Sequence, residues 1–130
     1  MGAIHLLALP MALNLDQKPG ADGVAVKVFA TDPRGTRSVS IREGRLEILA
    51  YEGRPDPVKP GKPFHTWTYS PAELAPRAYR TSIGPAYDLV LSWIPKTVRT
   101  KFVTVTARYT PPSGRAIVAA PSVIQAVTVP

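Results

Sequence analysis

Cysteine is absent from the 130 residues. That excludes disulfide staples, thiol nucleophiles and cysteine-ligated metals. A domain of this length buries enough of its own surface to fold without a staple, so the absence does not choose a compartment. Acidic residues are scarce: nine Asp+Glu stand against sixteen Lys+Arg, a formal net charge of +7. The surplus favours acidic partner surfaces such as polyanionic glycans, lipid headgroups or nucleic acid, and at the least it aids solubility. Long apolar runs are missing too. The longest, Ala3 to Leu15, is cut by Pro10 and is shorter than the roughly 20 residues a membrane-spanning helix needs. It makes a poor signal peptide, because Met1–Gly2 supplies no cationic start and no small-x-small cleavage site follows. Leu6 stands where a myristoylation pattern wants Ser or Thr. Met1–Gly2 therefore reads as a start that replaces a natural export or lipoprotein signal.

What is present is proline, glycine and alternation. Fifteen prolines and nine glycines punctuate the chain too often for long helices, while 45% apolar residues is a globular value. In Val24 to Thr31 every even position is apolar and β-branched residues dominate, the pattern of a half-buried strand. Asp32-Pro33-Arg34-Gly35 then fits a type I turn. Leu46, Ile48 and Ala50 share one face of a second strand, and the proline-rich stretch from Glu52 to Pro63 reads as a surface loop. Phe64 to Tyr69 resumes the alternation. Tyr87, Leu89, Leu91 and Trp93 line one face of a later strand, and Val103, Val105, Ala107 and Tyr109 line one face of the next. Residues 115–120 and 123–129 are strand-like but split by Pro121, which predicts an edge position, a bulge or a change of sheet. Ile4 to Leu9 and Met11 to Leu15 read as a strand bent at Pro10, and residues 14–23 as a polar turn.

One short helix is expected near residues 71–80. Ser70 is the N-cap, Pro71 occupies the first helical position and Glu73 completes a capping box. Seven or eight short strands with one helix and no βαβ pattern predict a single all-β domain over 1–130. Its architecture is an antiparallel two-sheet sandwich, Ig-like or transthyretin-like in the broad sense.

Chemistry is sparse. His5 and His65 are 60 residues apart with no second ligand at a useful spacing, so no metal is expected. Asn14 and Asp16 begin an alternate-oxygen pattern, but Lys18 fills the next slot of a calcium loop. No serine sits in a Gly-x-Ser-x-Gly elbow, and no glycine loop cradles phosphate. No catalytic residue, no cofactor and no enzymatic activity are expected. Arg34, Arg37, Arg42 and Arg45 are interleaved with Glu43 and Glu47, which suits a solvated sheet surface better than a nucleic-acid stripe. Binding, if it occurs, falls to the aromatics Trp67, Tyr69 and Trp93 with the basic Arg99 and Lys101. Such a set could stack and charge-pair an acidic glycan, against the simpler reading that Tyr87 and Trp93 fill the core and Trp67 covers the open end of the sandwich.

Three stretches carry a resemblance: Ile4 to Pro10 with Ala12 to Asp16 and Pro19 to Val24; Trp67 to Leu74; and Thr106 to Tyr109. Together they resemble a group of small bacterial envelope proteins, many of lipoprotein type, whose function is unassigned. The resemblance covers most of the chain, and its motifs are turns and a helix cap. It implies export, hence a cell-envelope or secreted location, and it carries no catalytic residue. This sequence has no lipobox cysteine. The expected role is a non-enzymatic structural or protein-interaction module, acting through protein contact or self-association at sheet edges. The alternative is a carbohydrate- or polyanion-binding module.

Overall fold

A computed structural model describes residues 2–9, 22–56, 58–59, 61–94, 96, 98–112 and 114–126. Most of the bent N-terminal strand beyond Leu9, most of the polar turn before Asp22 and the last four residues lie outside them. Ten strands are formed among the described residues: β1 Ala3–Ala8, β2 Gly23–Thr31, β3 Ser38–Val39, β4 Arg45–Glu52, β5 His65–Tyr69, β6 Ala78–Thr81, β7 Gly84–Ser92, β8 Phe102–Thr110, β9 Ile117–Val118 and β10 Ser122–Gln125. They make two antiparallel sheets. The first runs β1-β2-β7-β6, with β3 added on β2, and the second runs β10-β8-β4-β5, with β9 added on β8. Each sheet is two antiparallel pairs laid side by side.

The expected inward faces are the observed ones. Val24, Val26, Val28 and Ala30 of β2, Leu46, Ile48 and Ala50 of β4, Leu89 and Leu91 of β7, and Val103, Val105 and Ala107 of β8 are all buried. Successive strand residues point to opposite faces, so these sets meet in one layer between the sheets. Two tyrosines at its margin carry their polar tips to backbone. Tyr87 Oη accepts the Ile41 N–H at 2.9 Å, and Tyr109 Oη donates to the Glu43 carbonyl at 2.6 Å. Both strap the connection between β3 and β4 onto the sandwich. Gly44 in that connection has φ of 81°, and a Cβ there would meet the Thr110 carbonyl oxygen and lie 2.8 Å from Tyr109 Oη.

Asp32 to Gly35 forms the expected turn, closed by Gly35 N–H to the Asp32 carbonyl at 2.9 Å. Pro121 falls where β9 and β10 meet, and both lie on the same edge of β8. Of the edge position, bulge or change of sheet expected there, the edge position is the one formed. The helix is shorter than the sequence suggests. α1 spans Pro71–Leu74, a 3-10 turn covers Ala75–Arg77, and residues 78–81 are strand β6. Pro76 has no N–H to continue the helix and disfavours helical backbone at Ala75. Pairing with β7 then claims the residues that follow. The cap itself is as read: Ser70 Oγ accepts the Glu73 N–H at 3.2 Å, and Glu73 Oε1 accepts the Ser70 N–H at 3.0 Å. α1 links the edge strand of the second sheet to that of the first and drops the fully buried Leu74 into the gap between them.

Gly44→Ala forces a positive φ on a side chain with nowhere to go, so it costs well over the ~1–2 kcal/mol of left-handed backbone alone. Ser70→Ala costs about 1 kcal/mol through the lost cap. Urea unfolding of the two variants orders them in that sense. The Ser70 hydrogen bonds also hold the Glu73 carboxyl below its usual 4.5. Its contribution is therefore complete above that pH and is lost as pH falls through the lowered value. Glu73→Gln flattens the acid limb of the stability curve in a pH titration of the urea midpoint.

Candidate functional site

The five residues expected to bind do not form one platform. Trp93 is fully buried and offers no face to a ligand, so the stacking role expected of it is corrected. The register that puts Leu89 and Leu91 inward puts Trp93 inward with them. Trp67 lies on the inward side of edge strand β5, half-buried, and its Nε1 donates to the Ser92 carbonyl at 2.8 Å. Its ring stands 6.5 Å from Trp93 and 4.5 Å from His65, while Phe64 meets Trp93 edge-on at 5.3 Å. This aromatic group closes the open side of the sandwich between β5 and β7. Tyr69 is half-buried under the Arg77 guanidinium, 5.6 Å away, and burial chiefly raises its hydroxyl pKa above 10.0. Arg99 and Lys101 lie exposed in the β7–β8 connection. The Arg99 N–H donates to Glu52 Oε1 at 3.1 Å, and the Lys101 carbonyl accepts from Ala126.

His65 opens β5. Its Nδ1 is buried without a hydrogen-bond partner, and Lys96, whose Nζ donates to the Phe64 carbonyl at 2.6 Å, stands beside it. Burial first, then the Lys96 charge, lowers its pKa below 6.5. His5 faces outward on β1, stacked on Phe29 at 4.8 Å and 3.1 Å from Thr31 Oγ1. Among the described residues no three His, Asp or Glu side chains converge as a metal site would need, and no helix is long and apolar enough to cross a membrane.

The outward faces hold what the alternation did not announce. On the first sheet, Leu7 is 59% exposed and Val90 64% exposed, with Leu9 beside them and Ala25 between. The cross-strand pair Lys27 and Asp88 sits in the row next to Ala25 and Val90, with Leu7 opposite Lys27. This is an apolar field around a shallow hollow of about 360 Å³, with one cation and one anion side by side within it.

The second sheet is different. Leu49, Thr104 and Thr106 point outward yet are only 6%, 4% and 9% exposed. They floor a groove of about 390 Å³, bordered by Arg54, Pro55 and Asp56 and by Val118 to Val123. Both threonine hydroxyls are already committed: Thr104 Oγ1 donates to the Gly53 carbonyl at 2.7 Å and Thr106 Oγ1 to the Ala119 carbonyl at 2.8 Å. The Arg108 guanidinium is tied to Glu47 at 3.1 Å, and the Arg54 guanidinium lies over the Phe102 ring, 4.7 Å from its centre.

One sequence signal could have found both faces. Leu7, Leu49, Val90 and Val123 are apolar residues out of phase with their strands, set against inward neighbours that already fill the core. Comparison of the chain with protein-family models, curated proteins and solved structures finds no match.

A pH prediction comes from His65. Because folding lowers its pKa, the unfolded chain takes up the proton first as pH falls below 6.5. Stability therefore declines below that pH until the folded-state value is passed. His65→Gln removes this step, which urea midpoints at about pH 7.5 and 5.5 measure directly.

Proposed function

We propose that the protein is a non-enzymatic interaction module of the cell envelope, whose working surface is the outer face of the first sheet and whose partner there is a second copy of the chain. The observation that carries this reading is the apolar field of Leu7, Leu9, Ala25 and Val90 around the Lys27–Asp88 pair. Contiguous exposed apolar patches mark contact sites. In an isologous dimer each patch meets its own copy, so a cation and an anion placed side by side near the two-fold axis meet their opposites. The cell-envelope setting rests on the resemblance of the turn and cap motifs.

The edges support this less than the face does. β6 has four residues and β5 five. The β9–β10 edge is interrupted at 119–121, and edge strand β1 touches β10 through Ser122 Oγ, 3.4 Å from the Leu6 carbonyl. Short, interrupted or covered edges resist strand addition.

A second reading, polyanion binding, is supported by a separate cleft. It measures about 430 Å³ and is lined by Thr36, Arg37, Ser38, Arg80 and Ser82. The Ser38 hydroxyl is buried without a partner. Asp32, the carboxylate nearest in sequence, spends its oxygens on the Thr36 N–H and hydroxyl at 3.0 and 3.3 Å. Under this reading the double variant Arg37→Gln/Arg80→Gln leaves a heparin column at lower salt than the unmodified protein.

Sedimentation equilibrium between about 1 and 100 μM tests the first reading. The unmodified chain is expected to dimerise reversibly, and Val90→Lys to remain monomeric with an unchanged circular-dichroism spectrum. A monomer throughout that range, or a dimer indifferent to Val90→Lys, overturns the reading.

A further inference from the structure

The groove on the second sheet has a chemistry of its own, independent of contact at the first sheet. Outward-facing strand residues are ordinarily wet. Here Leu49, Thr104 and Thr106 are nine-tenths or more buried because the chain rises on both sides of them. The threonine protons are spent on the carbonyls of Gly53 and Ala119, so the threonines offer a ligand no donor, and Tyr51, which also lines the groove, adds a ring beside them. The lip continues that character, since Val118 and Val123 are exposed there. A volume of about 390 Å³ lies within the range of small-molecule sites, roughly 300–1,000 Å³, and is too small for a folded partner.

Charge enters only at the ends. At one end Arg108 is paired with Glu47, both its Nε and Nη2 standing 3.1 Å from Oε1, and Arg45 shares that carboxylate at 3.6 Å, so the Arg108 edge there is already spent on Glu47 although the group keeps one net positive charge. At the other, Arg54 rests on the Phe102 ring. Stacking on a ring occupies a guanidinium's face and leaves the N–H groups on its edge to bond. Asp56 borders the same end, but its Oδ1 accepts the Val58 N–H at 2.8 Å and, more distantly, the Lys59 N–H at 3.5 Å. Arg108 lies six residues along β8 from Phe102, a span of about 20 Å.

We propose that this groove binds a small amphipathic anion, an unbranched alkyl chain ending in a carboxylate. The planar carboxylate meets the fork of Arg54, and the chain lies along Leu49, Thr104 and Thr106 toward the Arg108–Glu47 pair.

Titration of the isotope-labelled full chain with sodium decanoate, followed by amide and methyl chemical shifts, tests this. Butyrate serves as the short-chain control and decyltrimethylammonium as the cationic one. Saturable 1:1 shifts confined to Leu49, Thr104, Thr106 and Val123 are expected, with butyrate giving none. Arg54→Gln weakens decanoate roughly tenfold or more, the scale of a lost charge-assisted hydrogen bond. Val123→Asp, at a lip position exposed to solvent, abolishes binding. Shifts that fail to saturate, or that spread over the surface, overturn the site. Equal affinity for decanoate and decyltrimethylammonium, or indifference to Arg54→Gln, overturns the role of the arginine and with it the proposed ligand class. Val90→Lys leaves decanoate binding unchanged, so failure here and failure of the dimer are separable.

Discussion

Exclusion of water from the layer between the two sheets governs the rest of this molecule. Valine, leucine and alanine at every second position of β2, β4, β7 and β8 fill that layer. Each buried apolar side chain contributes on the order of 1.5–3 kcal/mol. A slip of one residue in any of these strands would turn its whole inward set to solvent, so the register is held firmly. The marginal pieces adapt to this layer. Tyr87 and Tyr109 bend their hydroxyls to the β3–β4 connection, and at the margin of β5 and β6 α1 places Leu74 in the gap between edge strands while Trp67 with Phe64 and Trp93 closes it alongside.

Because the layer claims one phase of each strand, the other phase is free to vary, and the two outer faces have diverged. The first sheet carries apolar residues that stay largely exposed, Leu7 and Val90 above all, around a shallow hollow of about 360 Å³. The second carries them in a trough, because the loop after β4 and the interrupted edge at Pro121 stand up on either side. Exposed apolar side chains suit a large, complementary partner, and a sheltered floor suits a small one. The basic surplus is largely separate from both. Much of it lies in connections and in the Arg45–Glu47–Arg108 group, where it is partly compensated.

Strands were legible in this sequence wherever apolar and polar residues alternate cleanly, because periodicity of two reports burial on one side. The turn at Asp32 and the cap at Ser70 were legible for a related reason: their side chains satisfy backbone groups within four residues. What escaped depends on distant pairing. β6 follows a helix signal directly and exists because β7 pairs with it, which no local pattern announces. The binding set expected of Trp67, Tyr69, Trp93, Arg99 and Lys101 joined residues by composition, whereas the fold uses the tryptophans as filling. The groove escaped because it requires Thr104 and Thr106, which look like ordinary solvent-facing threonines until Gly53 and Ala119 come to bond them.

If the layer between the sheets governs the fold, the central strands are the last to open. Residue-resolved amide hydrogen exchange measures this. Amides that pair β2 with β7 and β4 with β8 are expected to exchange only through global unfolding, while those of β3, β6 and β9 exchange through far smaller local openings. Exchange from β2 and β8 as fast as from β6 would contradict the account.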